Sequence, residues 1–215
     1  MDFLIENFDI FADAFRQTLM IAILAGVLAL VLGTALAAMR VSPIPPLRGL
    51  ATFYVEVFRN TPLTVVFVMI IFGLPEIDAS VSPFPGAVLS VGLYTAAFVC
   101  EAIRSGINSI SAGQAEAARA IGLTFSQSLR EVVLPQAFRT VVPPLGNVWI
   151  AMVKNTSIAA GFFIPDLSSL LPRFSNSDAD QLIAILIGIV MAYLLITLPS
   201  AYAVSRLEKR AVILR

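Results

Sequence analysis

Two stretches without a single charged side chain, Thr18 to Met39 and Gln181 to Ser205, decide what this chain can fold into. In lipid every backbone amide must be paired within its own segment, so apolar runs of that length read as helices. About 20 residues cross the hydrocarbon core, with roughly 17 to 25 as the working range. Only 13% of the residues are charged, about half the roughly 25% usual in soluble domains, and the mean hydropathy is +0.90. Lipid is therefore the main solvent. The chain reads as an all-α membrane protein, a single transmembrane domain over residues 1–215.

Three less uniform spans bring the expected number of transmembrane helices to five. Leu50 to Leu74 carries Glu56, Arg59 and Asn60 ahead of Thr61-Pro62, Ala87 to Ile110 carries Glu101 and Arg104, and Ala137 to Gly161 carries Lys154. An odd number places the termini on opposite sides. Lys and Arg concentrate in short cytoplasmic loops, which sets the orientation. With the N-terminus outside, Arg40, Arg48, Arg59, Arg104, Arg119, Arg130, Arg139, Arg206, Lys209, Arg210 and Arg215 all fall inside. Only Arg16 and Arg173 then fall outside, beside Asp2, Glu6, Asp9, Asp13, Glu76, Asp78, Asp166, Asp178 and Asp180. The acidic start also argues against a cleaved secretory leader, whose first region is positive. Cys100, the one cysteine, excludes an internal disulfide and reads as a small core residue.

Against this apolar background stands Glu116 to Pro135, EAARAIGLTFSQSLREVVLP. Ser111 and Gln114 have capping-box spacing, and Thr124 and Gln127 repeat it. Gly122 between them suits a left-handed helix end. A helix, a glycine turn and a second short helix closed by Pro135 would make a cytoplasmic knob between two spans, over about residues 111–135.

The spacing of that stretch is specific. Glu116-Ala117-Ala118 precedes Gly122, Val132 and then Leu134-Pro135, and this resembles the EAA signature of bacterial ABC importer permeases, with Val132 where Ile is more usual. RNTPL at Arg59–Leu63, GQAEAARAIGL at Gly113–Leu123, LPQAFR at Leu134–Arg139 and KNTS at Lys154–Ser157 look like the polar-amino-acid uptake branch. MRVSP, EAIRSGIN and VPPLGN look like actinobacterial glutamate-uptake permeases within it. Asn155 stands where many members have Asp, so no charge is assigned there.

The resemblance implies a type I ABC importer permease fold and a multi-pass subunit of the bacterial plasma (inner) membrane. It implies import of polar amino acids, glutamate or else glutamine, by ATP-driven alternating access. The coupling element would seat Glu116, Ala117, Ala118, Arg119, Gly122, Arg130, Leu134 and Pro135 in a groove of a cytoplasmic ATPase. Implied partners are two ABC ATPase subunits, a homologous second permease (in a heterodimer, with a homodimer as the alternative), an extracellular or periplasmic solute-binding protein, the amino-acid substrate and the bilayer. This chain lacks the Gly-x4-Gly-Lys-Ser/Thr phosphate loop. It is thus expected to be no enzyme and to hold no cofactor itself, with ATP and Mg²⁺ in the partner.

Charges inside a membrane usually face the bundle interior or a watery cavity, which selects candidates for the substrate path. Glu101, Arg104, Ser105 and Asn108 form one helical stripe with Tyr94 further back. Glu101 and Arg104 either neutralise each other or meet substrate. Asn147, Lys154 and Asn155 share a face, with Thr156 and Ser157 beyond; Lys154 either attracts an acidic substrate or pairs with Glu101 or Glu56. Asn60 and Thr61, before a proline that breaks the amide ladder, either reach the route or form a hinge. Gly26, Gly33 and Gly188 read as close helix contacts. The absence of histidine and of a second cysteine removes His-based metal sites and the common nucleophilic triads, and no basic domain suits nucleic acid. An ion-coupled secondary carrier or channel subunit is the alternative, with Lys154 and the Glu101–Arg104 stripe as its relay.

Overall fold

The computed structural model describes residues 2–175 and 179–212, and among these there is no β-strand. Asp178 and Arg215, two charges used in the topology argument, lie outside the described residues. A first turn, α1 (Asp2–Glu6), leads into α2 (Phe8–Arg40). At about 1.5 Å per residue, α2 outruns the roughly 30 Å hydrocarbon core. It packs along α5 (Pro83–Asn108), the most extensive helix contact in the molecule. Glycine makes this approach possible: a Cβ added at Gly33 would stand 2.6 Å from the Val99 Cβ. Ile21, Ala22 and Ala25 of α2 meet Ala87 and Val91 of α5 in the central core, joined by Met152 and Val153 of α8 (Leu134–Asn155).

Among the described residues three helices are long and apolar enough to cross a membrane: α2, α5 and α10 (Leu182–Val212). A bent pair of helices meets the same measure of length and apolarity when its two parts are taken together. The expected single span from Leu50 to Leu74 is instead α3 (Pro45–Asn60) and α4 (Leu63–Val68), the latter continued by a π turn over Met69–Gly73, bent by 105°. Pro62 causes the break. Its ring disfavours the helical region for the residue before it, and Thr61 is accordingly extended at φ −100°, ψ 133°. The expected Ala137–Gly161 span is helical as α8 and then tightens into a 3-10 segment, Thr156–Phe162. With Pro143 and Pro144 inside it and Arg139 and Lys154 along it, α8 falls short of the apolarity of the other crossings. The turn that follows is left-handed at Phe163, φ 58°.

After that turn the chain folds back into the bundle. Ile164, Leu167 and Leu170 are fully or almost fully buried, and the Leu167 amide donates to Thr18 Oγ1 of α2 at 2.9 Å. Asp166 is buried here too. Its Oδ1 accepts from the Ser169 amide at 2.9 Å and its Oδ2 from the Tyr193 hydroxyl of α10 at 3.2 Å. The short α9 (Leu170–Ser175) closes this end of the bundle.

Candidate functional site

At the opposite end, α6 (Ala112–Ala120) terminates as its sequence dictates. Gly122 takes φ 92°, its amide donates to Arg119 O at 3.0 Å, and the Leu123 amide donates to Ala118 O at 3.1 Å. This is the paired-bond ending that a left-handed glycine permits. Thr124 and Gln127 then form the expected capping box around α7 (Phe125–Gln127). The Ser111–Gln114 box is not formed. Ser111 makes no side-chain cap bond, and the Gln114 side chain is drawn instead to Gln136, whose Nε2 donates to Gln114 Oε1 at 3.4 Å.

The expected stop at Leu134-Pro135 is also absent. From α7 the helix widens into a π segment over Ser128–Val133 and runs directly into α8. Proline in a helix lacks a donor and collides with the carbonyl four residues back. A π segment placed immediately before it changes that register, which lets the helix pass through Pro135. The second half of the knob is therefore the first part of the helix that carries α8, rather than a separate piece.

Glu116, Ala117, Arg119, Gly122, Arg130, Leu134 and Pro135 are exposed on the knob, whereas Ala118 is buried, 4% exposed, against the π segment. The sequence reading missed the apolar members. Ile121 is 80%, Phe125 74% and Phe138 75% exposed, and they flank the polar residues. The available signal was Ile121 and Phe125 placed either side of a glycine turn, where no neighbour in the chain can cover them.

Further along α8, Val148, Ala151, Met152 and Asn155 recur at helical spacing and face Tyr94, Thr95 and Phe98 of α5 across a cavity of about 220 Å³. Asn155 alone of the predicted KNTS residues lines it. Thr156 is fully buried with its hydroxyl donated to Val153 O at 2.7 Å, and Ser157 donates to Lys154 O. Asn147 and Lys154 are exposed beside this wall. Lys154 forms no ion pair among the described residues, so its pairing with Glu101 or Glu56 is not found.

Glu101 is engaged elsewhere. Arg104 binds it with two hydrogen bonds, Nε to Oε1 at 3.0 Å and Nη2 to Oε2 at 2.9 Å. Arg40 from α2 stands 3.1 Å and Arg59 from α3 3.5 Å from the same carboxylate. The Glu101–Arg104 pair was legible as an i, i+3 contact; the other two arginines come from remote segments. Asn60 and Thr61 turn back onto α3, donating to Glu56 O at 2.8 Å and Val57 O at 2.7 Å, and so cap the bend.

Residues 29–213 match the model of the family described as binding-protein-dependent transport system inner membrane component. The chain belongs to that family. It is an ABC transporter permease, a membrane component and not an ATPase. The permease is 40% identical over 207 residues to the probable glutamine ABC transporter permease protein GlnM of Bacillus subtilis, covering 96% of this chain and 95% of the relative. It is also 40% identical over 212 residues to the glutamate transport system permease protein GluC of Corynebacterium efficiens, covering 93% of each. A solved amino acid ABC transporter with histidines superposes at a TM-score of 0.89 with 31% identity over 96% of both chains. The MetNI methionine ABC transporter, inward facing, shares the fold at a TM-score of 0.70 and 22% identity, over 92% of this chain and 96% of that one.

Proposed function

We propose that this permease is half of a paired core importing glutamate or glutamine by ATP-driven alternating access. The observation that carries the reading is one helical run: Phe125 on the knob and Asn155 on the cavity wall belong to the same uninterrupted helix. A force on the knob would tilt the wall with it. Leu134 and Asn155 stand about 30 Å apart along that helix, about the thickness of the hydrocarbon core, enough to carry motion from the membrane surface to the cavity.

In this reading α8 is the fifth span, the N-terminus lies outside and the knob and C-terminus lie in the cytoplasm. Glu116, Ala117, Arg119, Gly122 and Arg130, with the apolar tip at Ile121 and Phe125, sit in a groove of one of two ABC ATPases. Those ATPases hold ATP and Mg²⁺. A homologous, distinct second permease completes the path, because so few helices enclose little polar volume. An external solute-binding protein delivers the amino acid. The glutamine and glutamate relatives support the substrate class, and Tyr94, Thr95 and Asn155 are the polar members of an otherwise apolar cavity wall.

Proteoliposomes carrying the complete complex test this. Radiolabelled glutamate or glutamine should enter only when ATP is supplied on the knob side; uptake driven by a sodium or proton gradient without ATP would establish the ion-coupled alternative. Lys154→Gln is expected to weaken glutamate uptake several-fold more than glutamine uptake, since the unpaired cation favours an anionic side chain. Equal loss of both would remove Lys154 from substrate selection.

A further inference from the structure

Three guanidinium groups, from Arg40, Arg59 and Arg104, surround one carboxylate, that of Glu101. Arg104 already occupies both oxygens, and Arg40, 14% exposed in its side chain, adds a second close cation. Arg59 is the surplus member. Its contact with Glu101 is the longest at 3.5 Å, its side chain is 42% exposed, and no other carboxylate pairs with it among the described residues. Glu56, one turn back, accepts instead from Asn60 Nδ2 at 3.2 Å.

The position of Arg59 gives the surplus charge a use. Its guanidinium carbon stands 5.9 Å from the centre of the Phe98 ring, and Phe98 lines the cavity that Asn155 and Tyr94 also face. Phe98 lies between Tyr94 and Glu101 on α5. The guanidinium stands against Phe98 on its Glu101 side, next to the cavity and not among the residues that line it. Three guanidinium groups against one carboxylate leave the cluster with a net positive charge that favours a second carboxylate. An arginine with free donors meets a carboxylate through two parallel hydrogen bonds.

We infer that Arg59 is the receiving group for the α-carboxylate of the transported amino acid, exchanging its loose contact with Glu101 for that carboxylate when substrate occupies the cavity. The inference rests on the proposed amino-acid function. The exchange is inexpensive because Glu101 stays paired to Arg104 and Arg40, so no charge is stranded. Because Arg59 closes α3 just before the 105° bend, the same exchange unties that bend from α5. The group recognised is common to glutamate and glutamine, which leaves side-chain selection to other residues such as Lys154.

The test is equilibrium binding of radiolabelled glutamine to the purified complete transporter in nanodiscs, competed by unlabelled glutamine and by its α-carboxamide derivative. The wild-type protein should prefer glutamine over the carboxamide by tenfold or more. In Arg59→Gln that preference should fall below about threefold, whatever happens to overall affinity, and Arg59→Lys should be intermediate. A merely structural arginine would alter affinity and leave the ratio unchanged. An undiminished preference in Arg59→Gln, or in Arg59→Lys should the glutamine variant not fold, overturns the inference while leaving the amino-acid reading intact. Failure of the wild-type complex to bind glutamine or glutamate overturns both.

Discussion

Asp166 is a carboxylate that the fold buries without a cation. Burial pushes its carboxyl up to about 6 from an ordinary 3.8, against the lowering effect of the Ser169 amide and the Tyr193 hydroxyl. Its facing groups are Ser168 and Ser169 of its own segment and Tyr193 from α10. No Lys or Arg pairs with it among the described residues. The docked segment therefore holds the proton more tightly than the undocked one, and docking strengthens as pH falls through 6 toward 4. Hydrogen exchange over residues 163–175, corrected for intrinsic rate, should show roughly tenfold fewer openings at pH 5 than at pH 7.5. Asp166→Asn should remove that difference; weaker protection at pH 5 would reverse the sign and refute it. None of this was readable beforehand, since Asp166 looked like one more external acid in the charge pattern. Conversely, the left-handed turn at Gly122 was legible because few residues other than glycine take φ near 90° without strain. Gly122→Val should abolish ATP-dependent uptake with the membrane helices intact by circular dichroism. Normal uptake in that variant would contradict the coupling role.

Among the elements, periodic and uncharged runs were read well. The helices α2, α5 and α10 contain the expected spans Thr18–Met39, most of Ala87–Ile110 and most of Gln181–Ser205. Proline was harder to read, because its effect depends on its neighbours. Pro62 bends the chain by 105°, whereas Pro135, Pro143 and Pro144 are carried inside a continuous helix. The difference lies in what satisfies the freed groups: Asn60 and Thr61 cap the end of α3, and a π segment adjusts the register before Pro135. The capping box at Thr124 formed, and the one at Ser111 lost its glutamine to a partner from α8, a competition no local pattern reveals. Thr124→Ala is expected to cost about 1 kcal/mol locally, seen as faster exchange at the Phe125–Gln127 amides, while Ser111→Ala should leave the Ala112–Gln114 amides unchanged. At the tip of the knob, Ile121→Ser with Phe125→Ser should lower affinity for the ATPase at least tenfold in a pull-down titration with the permease fold preserved. Unchanged affinity would remove the apolar tip from the interface.

For the whole molecule, the fold class and family were legible from hydropathy and from one spaced signature, but the cavity was not. It is made where α5 and α8 face each other, so its lining mixes residues far apart in sequence, and apolar Phe98 and Ala151 carry no local mark of their role. The cluster at Glu101 has the same origin, gathering Arg40, Arg59 and Arg104 from three helices. What unites knob and cavity is the unbroken helix between them, so the account depends on an ATPase gripping the knob. Cross-linking from Phe125→Cys in a Cys100→Ser background, within the assembled transporter, measures that directly. The account predicts an adduct with the ATPase subunit whose yield changes on ATP binding; an adduct with the solute-binding protein, or none with the ATPase, would contradict it.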